Sequence, residues 1–288
     1  MILCPLLECA RGIANYYSLF KKHFKSRNII VKYYFTGKRS EYSGFSSQIR
    51  YSLKDLSYLC QNFHKYDLIH LNPSLDPKAL IRDGVYHFIA KRIFRKHTIV
   101  FFRGWTIVFE KCIEKRFIKI FRLCFNFDYA LVLASSFKHK LIRWGYNPHH
   151  IKLVTTAVDD DLLNSFSIKE RIRKIDSLKE IQLLFLARVE RTKGICETIQ
   201  AFKFLIEKYP DLHLVVAGDG RSMNGAHKFA SRIGLEDKIS FLGYVRGEKK
   251  KNIFRNSDIY VLPTYGEGMP ISVLEAMAFG LPVVKRLV

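Results

Sequence analysis

A chain of 288 residues, 48% hydrophobic and 26% charged, has room for two domains and is too apolar to be disordered. No stretch approaches the ~20 uninterrupted apolar residues of a membrane span, and Met1–Pro5 lacks the basic start and long apolar core of a signal peptide. Six cysteines, with no CxxC and no Cys/His pairing at zinc spacing, predict reduced thiols, no metal site and a cytoplasmic location.

The charge is uneven as well as large. The formal net charge is +22, and residues 1–178 hold 31 basic against 14 acidic side chains. The stretch Arg82–Arg122 holds 11 basic and 3 acidic residues. Such a face attracts a polyanionic surface, phospholipid headgroups or nucleic acid; solvated lysines of a basic composition are the plainer reading.

In chain order, short apolar runs alternate with longer helical patterns, which predicts parallel α/β architecture. Strands are expected at Ile2–Cys4, Ile29–Tyr34, Leu68–Leu71, Thr98–Phe102, Tyr129–Ala134 and Ile151–Thr155. Helices are expected at Ala14–Phe24, Leu53–Phe63, Lys78–Arg95, Lys111–Phe125 and Phe137–Gly145, the last stopped by Gly145 and Pro148. The polar stretch 161–180 reads as a linker between a first domain, 1–160, and a second, 181–288.

The second series runs strand Ile181–Ala187, helix Gly194–Lys208, strand Leu212–Ala217, helix Ser222–Ile233 and strand Ile239–Leu242. Helix Lys249–Arg255, strand Ile259–Leu262, helix Ile271–Phe279 and a strand from Pro282 follow. Two doubly wound domains in tandem are expected to face each other across a cleft. The last strand opens close to the end of the sequence, so the expectation is a second domain cut short.

The chemistry concentrates at Tyr265–Val284. A strand enters a loop with Gly266 and Gly268, then a helix with Pro270 in its first turn. Glycines permit close backbone approach, and the amides of Gly268, Met269, Ile271 and Ser272 are placed to meet an anion. Glu267 and Glu275 stand eight residues apart, and carboxylates accept hydrogen bonds from vicinal hydroxyls in pairs.

The run E-G-x-P-x-x-x-L-E-A-M-A-x-G-x-P-V-V resembles the E-x7-E signature of glycosyltransferase family four, on the GT-B fold. The resemblance implies a retaining transferase using a UDP-, GDP- or similarly activated sugar as donor, with no metal and no further cofactor. Glu267 would then bind sugar hydroxyls and Glu275 the ribose. Upstream, Leu186-Ala-Arg-Val-Glu-Arg-Thr-Lys-Gly194 is similar to the family's R-x-x-x-x-K-G segment. Arg188 and Lys193 fall at the carboxyl edge of a sheet, where two cations can neutralise a diphosphate leaving group. The segments Val216–Gly220 and Ile239–Val245 resemble two more landmarks. Asp219 reads as a turn residue, and the backbone at Tyr244 and Val245 stands where the family holds the nucleobase.

In the first half, Arg11-Gly-Ile-Ala-Asn-Tyr-Tyr17 resembles the family's glycine loop, with a single glycine, Gly12, where a pair is common. Arg103 stands where many relatives carry histidine. It reads equally as a strand-end surface residue and as a bidentate ligand for an acceptor phosphate. His70, on an apolar strand, reads as a core histidine. Lys111, Lys115, Lys119 and Arg122 recur at helical spacing, either as the outer face of a core helix or as a helix lying on anionic lipid.

The reading that follows is a retaining glycosyltransferase acting on a lipid-linked or cell-surface polysaccharide, peripheral at the inner face of the plasma membrane. The rival readings are a truncated, inactive remnant of such an enzyme and a basic nucleic-acid-binding protein. The second rests on charge alone, without a recognisable nucleic-acid motif, so no nucleic-acid partner is expected.

Overall fold

The computed structural model describes residues 1–7, 12–36, 45–73, 77–103, 107–175, 180–266 and 269–286. The chain divides into two compact units, Met1–Thr156 and Ala157–Val288.

The first unit is built from β1 (Ile2–Cys4), α1 (Gly12–His23), β2 (Tyr33–Phe35), α2 (Phe45–Asn62), β3 (Leu68–Leu71), α3 (Pro77–Phe88), β4 (His97–Phe102), α4 (Ile107–Cys112), α5 (Ile118–Cys124), β5 (Tyr129–Val132), α6 (Ser135–Arg143) and β6 (Ile151–Leu153). The strands pair in the parallel order β2-β1-β3-β4-β5-β6. Val100, Phe101 and Phe102 are buried on both faces of β4, as strands covered by helices on each side require.

Three expectations shift here. The helix expected at Leu53–Phe63 begins earlier, at Phe45 of α2. The second strand starts later than Ile29: β1 offers Ile2, Leu3 and Cys4 as partners for Tyr33, Tyr34 and Phe35, and Ile29 and Ile30 are left exposed. The long helix Lys111–Phe125 is two α-helices joined by a π turn at Ile113–Phe117. A π turn also extends α3 at Ile89–Ile93. One extra residue per turn re-aims the face that follows.

The second unit holds α7 (Ile168–Ile175), β7 (Ile181–Leu186), α8 (Ile195–Lys208), β8 (Leu212–Ala217), α9 (Met223–Arg232), β9 (Ile239–Gly243), α10 (Gly247–Asn256), β10 (Ile259–Leu262), α11 (Ile271–Ala278) and β11 (Val283–Lys285). Its parallel order is β11-β10-β7-β8-β9, with the reversal between β10 and β7. Helix α8 buries Ile195, Thr198, Ile199 and Phe202, a 3-and-4 spacing that turns one face to the core.

The segment 161–180, expected as a linker, lies in this unit and carries α7. Arg171 donates to the carbonyl oxygens of Ser257 at 2.6 Å and Arg255 at 3.2 Å, which fastens α7 to the end of α10. Ile168 and Ile172 of α7 are exposed, and Arg171 is buried.

Candidate active site

In the second unit the loops at the carboxyl ends of the strands carry the residues read from the sequence. After β7 the chain turns through a 3-10 turn, Arg191–Lys193, closed by Gly194 at φ +80°. A Cβ on Gly194 would come within 2.5 Å of the Pro263 carbonyl oxygen, so glycine lets this turn lie against the end of β10. The contact is locked by Tyr265 N–H and Thr264 Oγ1, both donating to the Thr192 carbonyl at 3.0 and 3.2 Å. Lys193 is thereby buried beside the loop that leads to α11. Arg188 is exposed and pairs with Glu190 at 3.1 Å.

The loop after β8 is equally constrained. Gly218 has φ +143°, and a Cβ there would sit 1.8 Å from the Ala187 carbonyl oxygen. Asp219 accepts from Gly220 N–H at 2.7 Å through Oδ1, a turn role. Gly218 N–H donates to the Gly243 carbonyl at 2.7 Å, tying the β8 and β9 ends together. Beyond Gly243, Tyr244 is exposed while the Val245 side chain is buried in the core.

The helix after β10 starts at Ile271, as expected, and Pro270 is its N-cap rather than a residue of its first turn. The amides of Ile271 and Ser272 have no intrahelical acceptor at such a position, which suits an anion. Met269 is partly buried ahead of them. Tyr260 Oη joins the Leu186 carbonyl, 2.8 Å away, to Ser272 Oγ, 2.7 Å away, bracing the start of α11 against the β7 end. Glu275 is buried and pairs with Lys250 of α10 at 2.6 Å. Lys193, Ser272 and Glu275 thus belong to one sheet edge at its reversal point, where open α/β sheets bind ligands. Glu267 and Gly268 lie outside the described residues. Sequence reasoning missed Lys250, Tyr260 and Thr264, which position the expected ligands and stand in no recognisable motif.

The first unit has a polar cluster at its own sheet edge. Tyr17 of α1 donates to Asn72 Oδ1 at 2.6 Å, and His70 Nε2 lies 3.1 Å from the same hydroxyl. Burial pushes the His70 imidazole down to about 3, aided by the N-terminal ammonium and by Arg103. Burial also raises Tyr17. His70 is therefore a neutral, satisfied core histidine. Arg103 lies over the Tyr16 ring, 4.1 Å from its centroid, and over Phe101 at 4.8 Å. Its Nη2 donates to Thr156 at 3.3 Å, while Nη1 is buried with no hydrogen-bond partner among the described residues. Arg103 is thus partly buried at the end of β4 rather than exposed. Gly12 begins α1; Arg11 before it lies outside the described residues.

Residues 167–286 match the family model described as Glycosyl transferases group 1. Mannosylfructose-phosphate synthase of Agrobacterium fabrum is 31% identical over 154 residues, covering 50% of this chain and 34% of that one. UDP-Gal:alpha-D-GlcNAc-diphosphoundecaprenol alpha-1,3-galactosyltransferase of Escherichia coli is 31% identical over 241 residues, covering 76% of this chain and 57% of that one. The chain spans about a third of the length of the first curated relatives it matches. Among solved structures, Anabaena HepE in complex with UDP and glucose has a TM-score of 0.66 at 20% identity, covering 98% of this chain and 72% of that one. It shares the two parallel-sheet α/β units of the GT-B fold. Residues 167–286 are thus similar to the glycosyl transferases of group 1, and the fold over nearly the whole length is that of Anabaena HepE.

Proposed function

We propose that the protein transfers a sugar, with retention, from a UDP- or GDP-sugar to a lipid-linked or cell-surface glycan acceptor. The observation that carries this reading is the assembly of Lys193, Ser272 and Glu275 at one sheet edge, fixed by the Thr192 and Tyr260 contacts. The likeness to a galactosyltransferase whose name gives a UDP-sugar donor and a diphosphoundecaprenol-linked acceptor supports the donor and acceptor classes.

In this account Lys193 and Arg188 meet the donor diphosphate, together with the amides of Ile271 and Ser272. The bond from the anomeric carbon to the phosphate oxygen breaks, and the leaving diphosphate takes up the negative charge that these groups stabilise. The acceptor hydroxyl forms the new bond on the same face, and its proton passes to the departing phosphate. Glu275 accepts hydrogen bonds from the ribose hydroxyls while Lys250 engages its Oε1. Glu267 takes the sugar hydroxyls, and Tyr244 and Val245 flank the base. Arg103, with Nη1 unpartnered, meets a phosphate of the acceptor in the first unit. No step calls for a metal.

Peripheral attachment to an anionic membrane at the inner face of the plasma membrane belongs to the same proposal. Lys111, Lys115, Lys119 and Arg122 are all exposed, as are Phe117, Ile120 and Leu123 between them. Ile81 and Val85 of the neighbouring α3 are exposed too. Apolar side chains rimmed by cations suit an anionic lipid interface.

The test is turnover of a panel of UDP- and GDP-sugars with diphosphate-linked lipid glycans as acceptors, with the product's anomeric configuration read by NMR. A product of inverted configuration contradicts the retaining assignment. Transfer that needs an added divalent metal contradicts the metal-free one.

A further inference from the structure

Helices α8 and α9 of the second unit flank a groove of about 450 Å³. Arg191, Arg221 and Arg232 line it, with Ser222, Gly225 and Phe229. The last four residues from α9 and its cap, Ser222, Gly225, Phe229 and Arg232, recur at 3, 4 and 3, so one face of the helix forms the wall. None of the residues assigned to the donor lines it.

Three guanidinium groups share this groove, and among the described residues no carboxylate lines it. The acids nearest in sequence are engaged elsewhere. Glu190 holds Arg188 at 3.1 Å, Glu197 accepts from Tyr265 Oη at 2.7 Å, and Asp219 accepts from Gly220 N–H at 2.7 Å. Arg232 lies over the Phe229 ring, 5.3 Å from its centroid, which holds the side chain along the wall. The start of α9 adds to the positive field. Ser222 is its N-cap without a side-chain cap bond, and the amides of Asn224 and Gly225 have no intrahelical acceptor at these positions. A Cβ on Gly225 would meet nothing within 4 Å, so the groove is open above that helix start.

We propose that this groove is a second anion site, which takes a small soluble phosphorylated compound, such as a sugar phosphate or a nucleotide, through its phosphate. Guanidinium forks match phosphate oxygens bidentately, and a helix start supplies further N–H donors. The volume falls in the range of small-molecule pockets. The site is distinct from the donor diphosphate site, and its existence does not depend on the transferase reading.

Equilibrium dialysis of the full chain against labelled inorganic pyrophosphate tests it. The double substitution Arg221→Ala/Arg232→Ala should remove one binding site per chain, which Lys193→Ala leaves in place, and should leave stabilisation by nucleotide sugar unchanged. All three groove arginines are exposed, so an unaltered thermal transition shows that the double variant is folded. Gly225→Asp, which places a carboxylate in the groove without a clash, should weaken the second site at least tenfold. Pyrophosphate binding that Arg221→Ala/Arg232→Ala and Gly225→Asp leave undiminished, or a site lost only with Lys193→Ala, overturns the proposal. So does arginine-dependent binding seen only with phosphatidic acid vesicles and not with free pyrophosphate, which would make the ligand a lipid headgroup.

Discussion

Glu275 and Lys250 hold each other at 2.6 Å with side chains only 9% and 18% exposed. Removing one partner leaves the other charge in a dry setting, whereas removing both restores neutrality. Lys250→Met is expected to lower unfolding stability by about 1–3 kcal/mol. The double variant Lys250→Met/Glu275→Gln should be more stable than the sum of the single losses predicts, as measured by denaturant titration. Strict additivity would show that the two side chains are not coupled.

His70 and His87 set an acid limit. Burial depresses His70 to about 3 and His87 to about 4, both below the ~6.5 of an unfolded histidine. The unfolded chain binds more protons in that interval, so stability falls as pH drops below about 6.5 and continues to fall toward about 4. The loss at pH 5 should be roughly 2 kcal/mol per histidine. Thermal melts between pH 7 and 5 check it, and His70→Gln should flatten the slope by about one proton. At this scale the sequence was legible in the placing of Arg188 and Lys193, one contiguous segment after β7. It was silent on Tyr17 with His70 and on Lys250 with Glu275, 53 and 25 residues apart. Only the folded topology brings those partners together.

Loops rather than strands decide the geometry at the scale of elements. Gly218→Ala forces a side chain into the Ala187 carbonyl at φ +143°, so a loss of more than about 2 kcal/mol is expected, with weakened nucleotide-sugar binding. Gly225→Ala, in open space on a helix, should be neutral or slightly stabilising by the same denaturant titration. The exposed Phe117, Ile120 and Leu123 predict that Ile120→Glu/Leu123→Glu abolishes co-sedimentation with phosphatidylglycerol vesicles while leaving the thermal transition unchanged. Retained binding would place the contact elsewhere.

The periodicity located β7 to β11 and their helices closely; β7 and β8 are apolar runs buried on both faces, which leaves little freedom. It misplaced β2, whose extent is set by its partner β1, and it did not foresee the π turns at Ile89–Ile93 and Ile113–Phe117. A one-residue insertion leaves the apolar pattern almost intact. The stretch 161–180 looked like a linker because α7 buries so little; its attachment runs through Arg171 to backbone carbonyls, which no side-chain pattern reveals.

Across the whole molecule, each of the two parallel-sheet units gathers polar groups at a sheet edge. Buried polar groups gather around Arg103 at one sheet edge, and Lys193, Ser272 and Glu275 gather at the other. The net charge of +22 suits phosphate-bearing partners at both. The two-unit α/β organisation was readable from the order of strand and helix signals alone, whereas the fastening of each loop was not. The central claim is that the edge of the second sheet binds a nucleotide sugar. Its most direct test is thermal stability of the full chain across a panel of nucleotide sugars at saturating excess. One UDP- or GDP-sugar should stabilise the chain by a few kcal/mol, roughly RT ln(1 + [L]/Kd), and both Lys193→Ala and Glu275→Ala should abolish the shift. A chain that no nucleotide sugar stabilises, or a shift that survives both substitutions, would contradict the account.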